Sequence, residues 1–302
     1  MGDLVNYGRK NINIIKVIIV ILLILLIAIL AFVVSYNVRK KEIINKQYNQ
    51  EQNALKIIEE KKQEEQKKEE EKEKEEEKKN KLPKFSEEIL NNVTNIYHST
   101  EKRVFLTFDD GPSNKITPQV LEILKSEDIK ATFFLLGSRV ELYPELVKTE
   151  YEEGHFLANH GYSHTYSKIY SSPESVLEEY NKTTQAIRNA IGIPEYDSHL
   201  FRFPGGLPGG KYKEVKKQAK ELLNSNNIAN VDWNALTGDA EGKKTVDDQM
   251  SYAIKTIGNK NSVVILMHDA ADKQITVEVL PQLIKYLKEN GYRFANFSEI
   301  MK

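Results

Sequence analysis

The sequence predicts an α/β domain with parallel strands, which follows an apolar segment and a charged segment. From about residue 96 onward, short apolar runs alternate with longer stretches of helical periodicity. Glycines stand where several of these helices would end, at Gly154, Gly192, Gly258 and Gly291. Strict alternation of strands and helices favours parallel strands covered by helices, either in an open doubly wound sheet or in a barrel.

The N-terminal part of the chain contains a predicted membrane span. A polar segment, residues 1–16, precedes the span at 17–36, in which residues 17–34 are uninterrupted apolar residues. The apolar core of a secretory signal is usually shorter, about 7–15 residues, so we favour an uncleaved anchor, with a cleaved signal as the alternative. Lys and Arg are balanced on the two sides of the span, and the positive-inside rule barely decides its orientation.

Residues 37–82 are polar and end in an almost pure Glu/Lys tract. Glu64 with Lys68, Glu70 with Lys74 and Glu75 with Lys79 lie one helical turn apart, an arrangement worth a few tenths of a kcal/mol per pair. A solvated helix of this length would extend about 65 Å and suits a stalk. A disordered tether and a short coiled coil between Ile44 and Ile58 are the alternatives.

Composition excludes several classes of function. The chain has no cysteine, which rules out disulfides, a thiol nucleophile and a thiolate metal site. Any metal must therefore bind to His and carboxylate groups. Glu neutralises Lys throughout the charged tract, so nucleic-acid binding is not expected. The Gly-rich stretch FRFPGGLPGG lacks the Lys-Ser/Thr of a P-loop and the dinucleotide fingerprint, so no nucleotide site is expected.

Apolar runs and turn signals place the elements of the domain in order. Seven strands are predicted, at residues 104–108, 131–136, 155–158, 200–203, 228–231, 262–267 and 293–296. Six helices are predicted, at residues 117–126, 143–153, 173–191, 212–224, 246–257 and 277–290. Thr117 before Pro118 and Ser172 before Pro173 are typical helix starts.

Unusual polar residues follow the ends of the predicted strands. They are Asp109 and Asp110 after the first strand, His160 and His164 after the third, Arg202 in the fourth, Asp232 after the fifth and His268 after the sixth. The carboxyl ends of parallel strands share one face, where α/β proteins build their sites. We therefore expect these side chains to converge.

Two short motifs suggest a metal site. His160 and His164 in NHGYSH have the four-residue spacing that brings two imidazoles together, and zinc is the leading candidate ion. With Asp110 they form a His-His-Asp set with open positions, which suits catalysis better than a closed structural site. The ordinary alternatives are two polar loop histidines and a strand that ends in an Asp-Gly-Pro turn.

The other polar residues suggest acid–base chemistry. Arg202 can form a bidentate pair with a carboxylate and keep it ionised, as a catalytic base requires. If His268 is paired with Asp232, its protonated form is favoured and it can serve as a general acid.

In their order along the chain, five motifs resemble those of the polysaccharide deacetylase family, the NodB-homology domain of carbohydrate esterase family 4. They are TFDDGP at 107–112, HGYSH at 160–164, RFP at 202–204, Asp232-Trp233 and LMH at 266–268, and the resemblance extends over residues 103–300. It implies a distorted (β/α)7 barrel within a domain at 96–302. It also implies a metal-dependent hydrolase that removes N-acetyl groups from polysaccharide.

The resemblance also implies individual roles. Asp109 would be the general base, His268 the general acid, and Asp110 with His160 and His164 the metal ligands. Arg202 would orient Asp109, and Asp232 would tune His268. Trp233 and Leu266 would line the acetyl pocket, and the backbone N–H of Gly205 would help to stabilise the oxyanion. Two departures from the family pattern are Gly161, in place of Ser or Thr, and Gly205, in place of an aromatic residue.

These expectations combine into one hypothesis. The protein would be a single-pass plasma-membrane protein with its N-terminus inside, and its zinc-dependent domain would act outside on N-acetylglucosamine of cell-wall polysaccharide. Peptidoglycan is favoured because that polymer begins just beyond the membrane; chitin oligomers, poly-N-acetylglucosamine and acetyl-xylan are alternatives. A catalytically silent glycan-binding module is the rival hypothesis, but such a module would need neither the base Asp109 nor the acid His268.

Overall fold

A computed structural model describes residues 3–81 and 87–301 of the chain, which forms two compact units, Met1–Leu82 and Pro83–Lys302. The first unit is one continuous helix, α1 (Asp3–Lys81), so the predicted stalk is helical as far as it is described. Within the described residues, one helical segment, Lys16–Gln50, is long and apolar enough to cross a membrane, although a signal sequence has the same properties. In each side-chain pair predicted along the stalk, at least one partner lies outside the residues whose side chains are described.

Eight strands form one parallel sheet in the second unit. They are β1 (Arg103–Asp109), β2 (Thr132–Leu135), β3 (Phe156–Asn159), β4 (Leu200–Phe201), β5 (Ala229–Asn230), β6 (Ala235–Leu236), β7 (Ser262–His268) and β8 (Arg293–Ala295). The order across the sheet is β5-β4-β3-β2-β1-β7-β6, with β8 paired to the first half of β1. The sheet is curled into a half-barrel whose path ends at β5 and β6. The predicted barrel of parallel strands is confirmed.

Nine helices of the described chain lie in this unit. They are α2 (Glu87–Thr94), α3 (Thr117–Ser126), α4 (Gly137–Leu142), α5 (Pro144–Glu152), α6 (Tyr166–Ile169), α7 (Pro173–Ile191), α8 (Lys213–Ser225), α9 (Val246–Ile257) and α10 (Gln274–Glu289). A short 3₁₀ helix, Phe297–Glu299, follows β8. Ser172 and Thr245 cap α7 and α9, where each hydroxyl accepts a hydrogen bond from the backbone N–H three residues later.

All seven predicted strands and all six predicted helices correspond to observed elements. The structure adds β6, α2, α4 and α6, each too short to produce a periodic pattern in the sequence. Helix α2 precedes the predicted domain start at residue 96, and its Val93 is 4% exposed within the core.

Two apolar layers cover the two faces of the sheet. In β1, Val104, Leu106 and Phe108 point to the outer core, where the surrounding helices pack. Phe105 points to the inner core, which contains residues of α2 and of the 3₁₀ helix. Because successive side chains alternate between faces, Asp109 continues the inner row of Phe105.

Candidate active site

The sheet itself brings the first two site residues together. Asp109 ends β1 and His268 ends β7, and these residues are register partners in the two parallel strands. Both side chains lie on the inner face, because Phe108 and Met267, which precede them, pack in the outer core. Residues far apart in sequence thus become neighbours at the carboxyl edge of the sheet.

Arg202 holds one side of Asp109. Its guanidinium is fully buried, and Nη1 donates to Oδ1 of Asp109 and to the hydroxyl of Thr107, both at 2.8 Å. Nε and Nη2 donate to the carbonyls of Val231 and Asp232. Burial raises the pKa of Asp109, and the positive charge of Arg202 opposes that rise. Arg202 therefore contacts the Asp109 carboxylate through a single guanidinium nitrogen.

Asp110, His160 and His164 form a compact set of metal-ligating atoms. One ligand atom from each of them lies within 4.8 Å of the other two. Nε2 of His164 is 3.3 Å and Nε2 of His160 is 3.6 Å from Oδ1 of Asp110. Two ligands at about 2.0–2.1 Å from a tetrahedral zinc ion would be about 3.3 Å apart, so this set is close to metal-binding geometry.

Two further observations show that these residues fit a divalent metal ion. Oδ1 of Asp110 is buried and has no hydrogen-bond partner among the described residues, a costly arrangement unless a cation contacts it. Nδ1 of His160 is 2.8 Å from the carbonyl of Arg202, which can only accept, so Nδ1 carries the proton and Nε2 presents its lone pair. Burial lowers the pKa of His160 to about 3, which keeps the imidazole neutral.

Helix α7 steadies the loop between the two histidines. The carboxylate of Glu179 accepts hydrogen bonds from the backbone N–H groups of Tyr162 and Ser163 and from the Ser163 hydroxyl. Gly161 has a left-handed φ of 82°, and a Cβ there would lie 2.7 Å from Ile169 Cδ1. The loop that contains Gly161 is thus held by hydrogen bonds to Glu179.

The acidic partner of His268 is Asp239, and this corrects the pairing of His268 with Asp232. Nδ1 of His268 donates to Oδ1 of Asp239 at 2.9 Å, and the backbone N–H of His268 donates to Oδ2 at 2.7 Å. Burial disfavours the charged imidazole, but the hydrogen bond and the charge of Asp239, with the charges of Asp109 and Asp110, raise its pKa to about 9. His268 is therefore held protonated at neutral pH.

Asp232 instead anchors the glycine-rich loop after β4. Both of its carboxylate oxygens accept from the backbone N–H of Leu207, at 3.1 and 3.2 Å. Lys216 of α8 holds the same loop, because its buried Nζ donates to the carbonyl of Gly206 at 2.6 Å. The loop that carries the Gly205 N–H is thus held from two sides.

A cavity of about 250 Å³ opens over these groups. Eight of the ten predicted site residues line it: Asp109, Asp110, His160, His164, Gly205, Trp233, Leu266 and His268. Arg202 lies buried against Asp109, and Asp232 lies in the wall of a neighbouring cavity. The lining also includes Tyr166 and Asp239, which the sequence analysis did not single out. The sequence feature that could have indicated Asp239 is the Gly-Asp pair after β6, a strand that was not predicted.

The geometry places a buried carboxylate, a protonated imidazole and a three-ligand metal-type cluster around one cavity, an arrangement typical of metal-assisted hydrolases. The sequence pattern of the family described as polysaccharide deacetylase matches residues 97–224. A peptidoglycan-N-acetylglucosamine deacetylase of Bacillus cereus is 35% identical over 207 residues, which cover 67% of this chain and 72% of the relative. The chain belongs to the polysaccharide deacetylase family.

Solved structures of related proteins agree with this assignment. A carbohydrate esterase family 4 esterase of Streptococcus mutans is 32% identical with a TM-score of 0.63, and the match covers 68% of this chain and 90% of that one. The catalytic domain of a peptidoglycan N-acetylglucosamine deacetylase from Eubacterium rectale is 29% identical with a TM-score of 0.60, covering 66% and 90%.

Proposed function

We propose that the protein is a metal-dependent N-deacetylase of N-acetylglucosamine in cell-wall polysaccharide, with peptidoglycan as the favoured substrate. The observation that carries this proposal is that Asp109, His268 and the Asp110-His160-His164 cluster line one cavity. The activity named for the Bacillus cereus and Eubacterium rectale proteins supports the choice of peptidoglycan.

In this proposal Asp109 is the general base. Its Oδ1 is occupied by Arg202, whereas Oδ2 lies 3.7 Å from Nε2 of His160 and faces the metal-type cluster. Oδ2 is therefore the atom placed to accept a proton from a water molecule at that cluster. Arg202 favours the ionised carboxylate and fixes its orientation, because moving Asp109 away would leave the buried guanidinium without its carboxylate partner.

His268 is the general acid on the other side of the cavity. Asp239 orients the ring through Nδ1, so Nε2 is the atom that can donate a proton to the departing sugar amine. The backbone N–H of Gly205 is the proposed donor to the oxyanion, held in place by the loop contacts of Asp232 and Lys216.

Asp110, His160 and His164 are the residues that would hold the metal ion, and zinc is the proposed ion. When bound, such an ion acts as a Lewis acid on a carbonyl oxygen and lowers the pKa of coordinated water. We further propose that the apolar segment within Lys16–Gln50 anchors the chain in the plasma membrane, with the N-terminus inside and the catalytic unit outside.

The test is acetate release by the full-length protein in detergent, with and without a chelator. The substrates are purified peptidoglycan, chitin oligomers, poly-N-acetylglucosamine and acetyl-xylan. We expect release from peptidoglycan that chelation abolishes and zinc restores. If the metal-loaded protein released no acetate from any of the four glycans, the silent glycan-binding module would be favoured instead.

Asp109→Asn tests the assigned base. We expect the variant to keep its metal content and to lose activity by about 10²–10⁴-fold, the usual contribution of a general base. The matched control is Asp128→Asn, because the Asp128 side chain is 97% exposed and lies outside the cavity. Full activity in Asp109→Asn would contradict the assignment.

A further inference from the structure

The position that carries an aromatic side chain in the family pattern, Gly205, is filled from another part of the chain. Gly205 has a left-handed φ of 74°, and a Cβ built on it would lie 2.5 Å from the hydroxyl oxygen and 3.2 Å from Cζ of Tyr166. A side chain at position 205 and the present position of Tyr166 therefore exclude one another.

Tyr166 begins α6, two residues after the candidate metal ligand His164. Its ring centroid is 5.5 Å from that of His164 and 5.7 Å from that of Tyr170. The ring lines the cavity that contains Asp110 and Gly205. Helix α6 follows the histidine loop and thus places an aromatic ring next to the loop after β4.

The two neighbouring tyrosines have different environments. Tyr170 is 1% exposed, and its hydroxyl donates to the carbonyl of Pro204 at 2.7 Å, so its role is to support the loop. Tyr166 is 41% exposed, and among the described residues its hydroxyl has no hydrogen-bond partner. The ring of Tyr166 is thus accessible to a ligand in the cavity, whereas the ring of Tyr170 is not.

We propose that Tyr166 is a substrate-binding residue that supplies the cavity wall missing at Gly205, with its ring against the acetylated sugar and its hydroxyl hydrogen-bonded to that sugar. The inference rests on the deacetylase function proposed above. A tyrosine suits this task because it combines an apolar face with a polar tip, as ligand sites commonly require. The absence of a side chain at Gly205 then leaves the space that the Tyr166 hydroxyl occupies.

The first experiment compares Tyr166→Phe and Tyr166→Ala with the wild type, as full-length metal-loaded proteins acting on the tetramer of N-acetylglucosamine. We expect Tyr166→Phe to raise KM about threefold to tenfold with kcat changed less than twofold, as for a lost neutral hydrogen bond to bound substrate. Tyr166→Ala should raise KM further. The matched control is Tyr286→Phe on α10, which lies outside the cavity and should change neither constant.

The second experiment is a double-mutant cycle with Gly205→Ala. The left-handed backbone at position 205 is unfavourable for Ala in both backgrounds, so that cost cancels, whereas the contact at 2.5 Å exists only when the Tyr166 hydroxyl is present. We expect Gly205→Ala to lower kcat/KM at least fivefold more in the wild type than in Tyr166→Phe. If the kcat/KM of the double variant lay within twofold of the product of the two single effects, the proposed exclusion between Tyr166 and a side chain at position 205 would be overturned.

Metal content and affinity for the same tetramer, measured by calorimetry, separate the remaining outcomes. Loss of metal from Tyr166→Phe would assign Tyr166 to the metal loop and overturn the inference. Unchanged KM and affinity in both variants of an active enzyme would also overturn it. If the wild type bound the tetramer with Tyr166-dependent affinity but released no acetate from any glycan, the proposed function would fail and the binding role of Tyr166 would stand.

Discussion

Replacing Asp239 by Asn removes the negative charge next to His268 and keeps the shape of the side chain. In the wild type, both carboxylate oxygens of Asp239 accept hydrogen bonds from His268, and Thr276 donates to Oδ2 as well. The side chain of Asp239 is only 4% exposed, so solvent cannot replace the lost charge. The variant therefore isolates the effect of one buried charge on the proposed general acid.

The expected magnitude follows from the pKa of His268. The environment raises this pKa from 6.5 to about 9, which corresponds to roughly 3 kcal/mol in favour of the charged imidazole. Burial alone lowers the pKa, so without Asp239 we expect it to fall to its ordinary value or below. At pH 8 the protonated fraction would then drop from about nine tenths to about 3%.

The assay is the pH dependence of kcat/KM for acetate release, which reports the pKa values of essential groups in the free enzyme. Because the acid must be protonated, activity is lost as pH rises through the pKa of His268. In Asp239→Asn we expect this alkaline limb to move down by two or more pH units, with an approximately 30-fold loss at pH 8 and a much smaller loss at pH 6. Asp232→Asn is the matched control, since Asp232 contacts Leu207 and not His268. If Asp232→Asn moved the alkaline limb and Asp239→Asn did not, the pairing would be refuted.

The remaining predictions concern a buried acid and a buried lysine. Glu150 on α5 is fully buried, neither of its oxygens has a partner among the described residues, and burial raises its pKa well above 4.5. Stability is therefore lost as pH rises above 4.5. Glu150→Met should raise the free energy of unfolding at pH 7 by about 1–3 kcal/mol. The control, Glu152→Met on the exposed side of α5, should change that free energy by less than about 0.5 kcal/mol. Denaturant unfolding measures both variants, and equal changes in their free energies of unfolding would contradict burial of Glu150 as the cause. Lys216→Met should lower kcat about tenfold with metal content unchanged, because the hydrogen bond that holds the Gly206 carbonyl is lost. Lys213→Met, at an exposed lysine, is the control. An unchanged kcat in Lys216→Met would show that the loop does not need this hydrogen bond.

Much of the sheet was predictable because most of its strand residues are apolar. The seven predicted strands coincide with observed ones, since both faces of the sheet are covered and the strands read as short apolar runs. The convergence of Asp109, Asp110, His160, His164 and His268 was predicted from the shared carboxyl edge of parallel strands, and the cavity contains all five.

What the sequence could not supply was pairing between side chains on different elements. Asp232 and Asp239 both follow short strands, and only the register of β6 beside β7 places Asp239 against His268. The role of Tyr166 depends on α6, a helix of four residues without a periodic pattern. Tyr166 in α6 and Gly205 in the loop after β4 are 39 residues apart in the sequence, so no local spacing predicts that they lie close together.

The charges around the cavity give a physical reason for the metal-type cluster. The carboxylates of Asp109, Asp110 and Asp239 face two cations, Arg202 and protonated His268. Asp109 is paired with Arg202 and Asp239 with His268, which leaves Asp110 as the carboxylate without a cationic partner in this set. A divalent ion bound by Asp110 and the two histidines would supply two positive charges beside this carboxylate. Positive charge beside the cavity also stabilises an oxyanion, so Asp110 and the proposed hydrolysis have the same physical requirement.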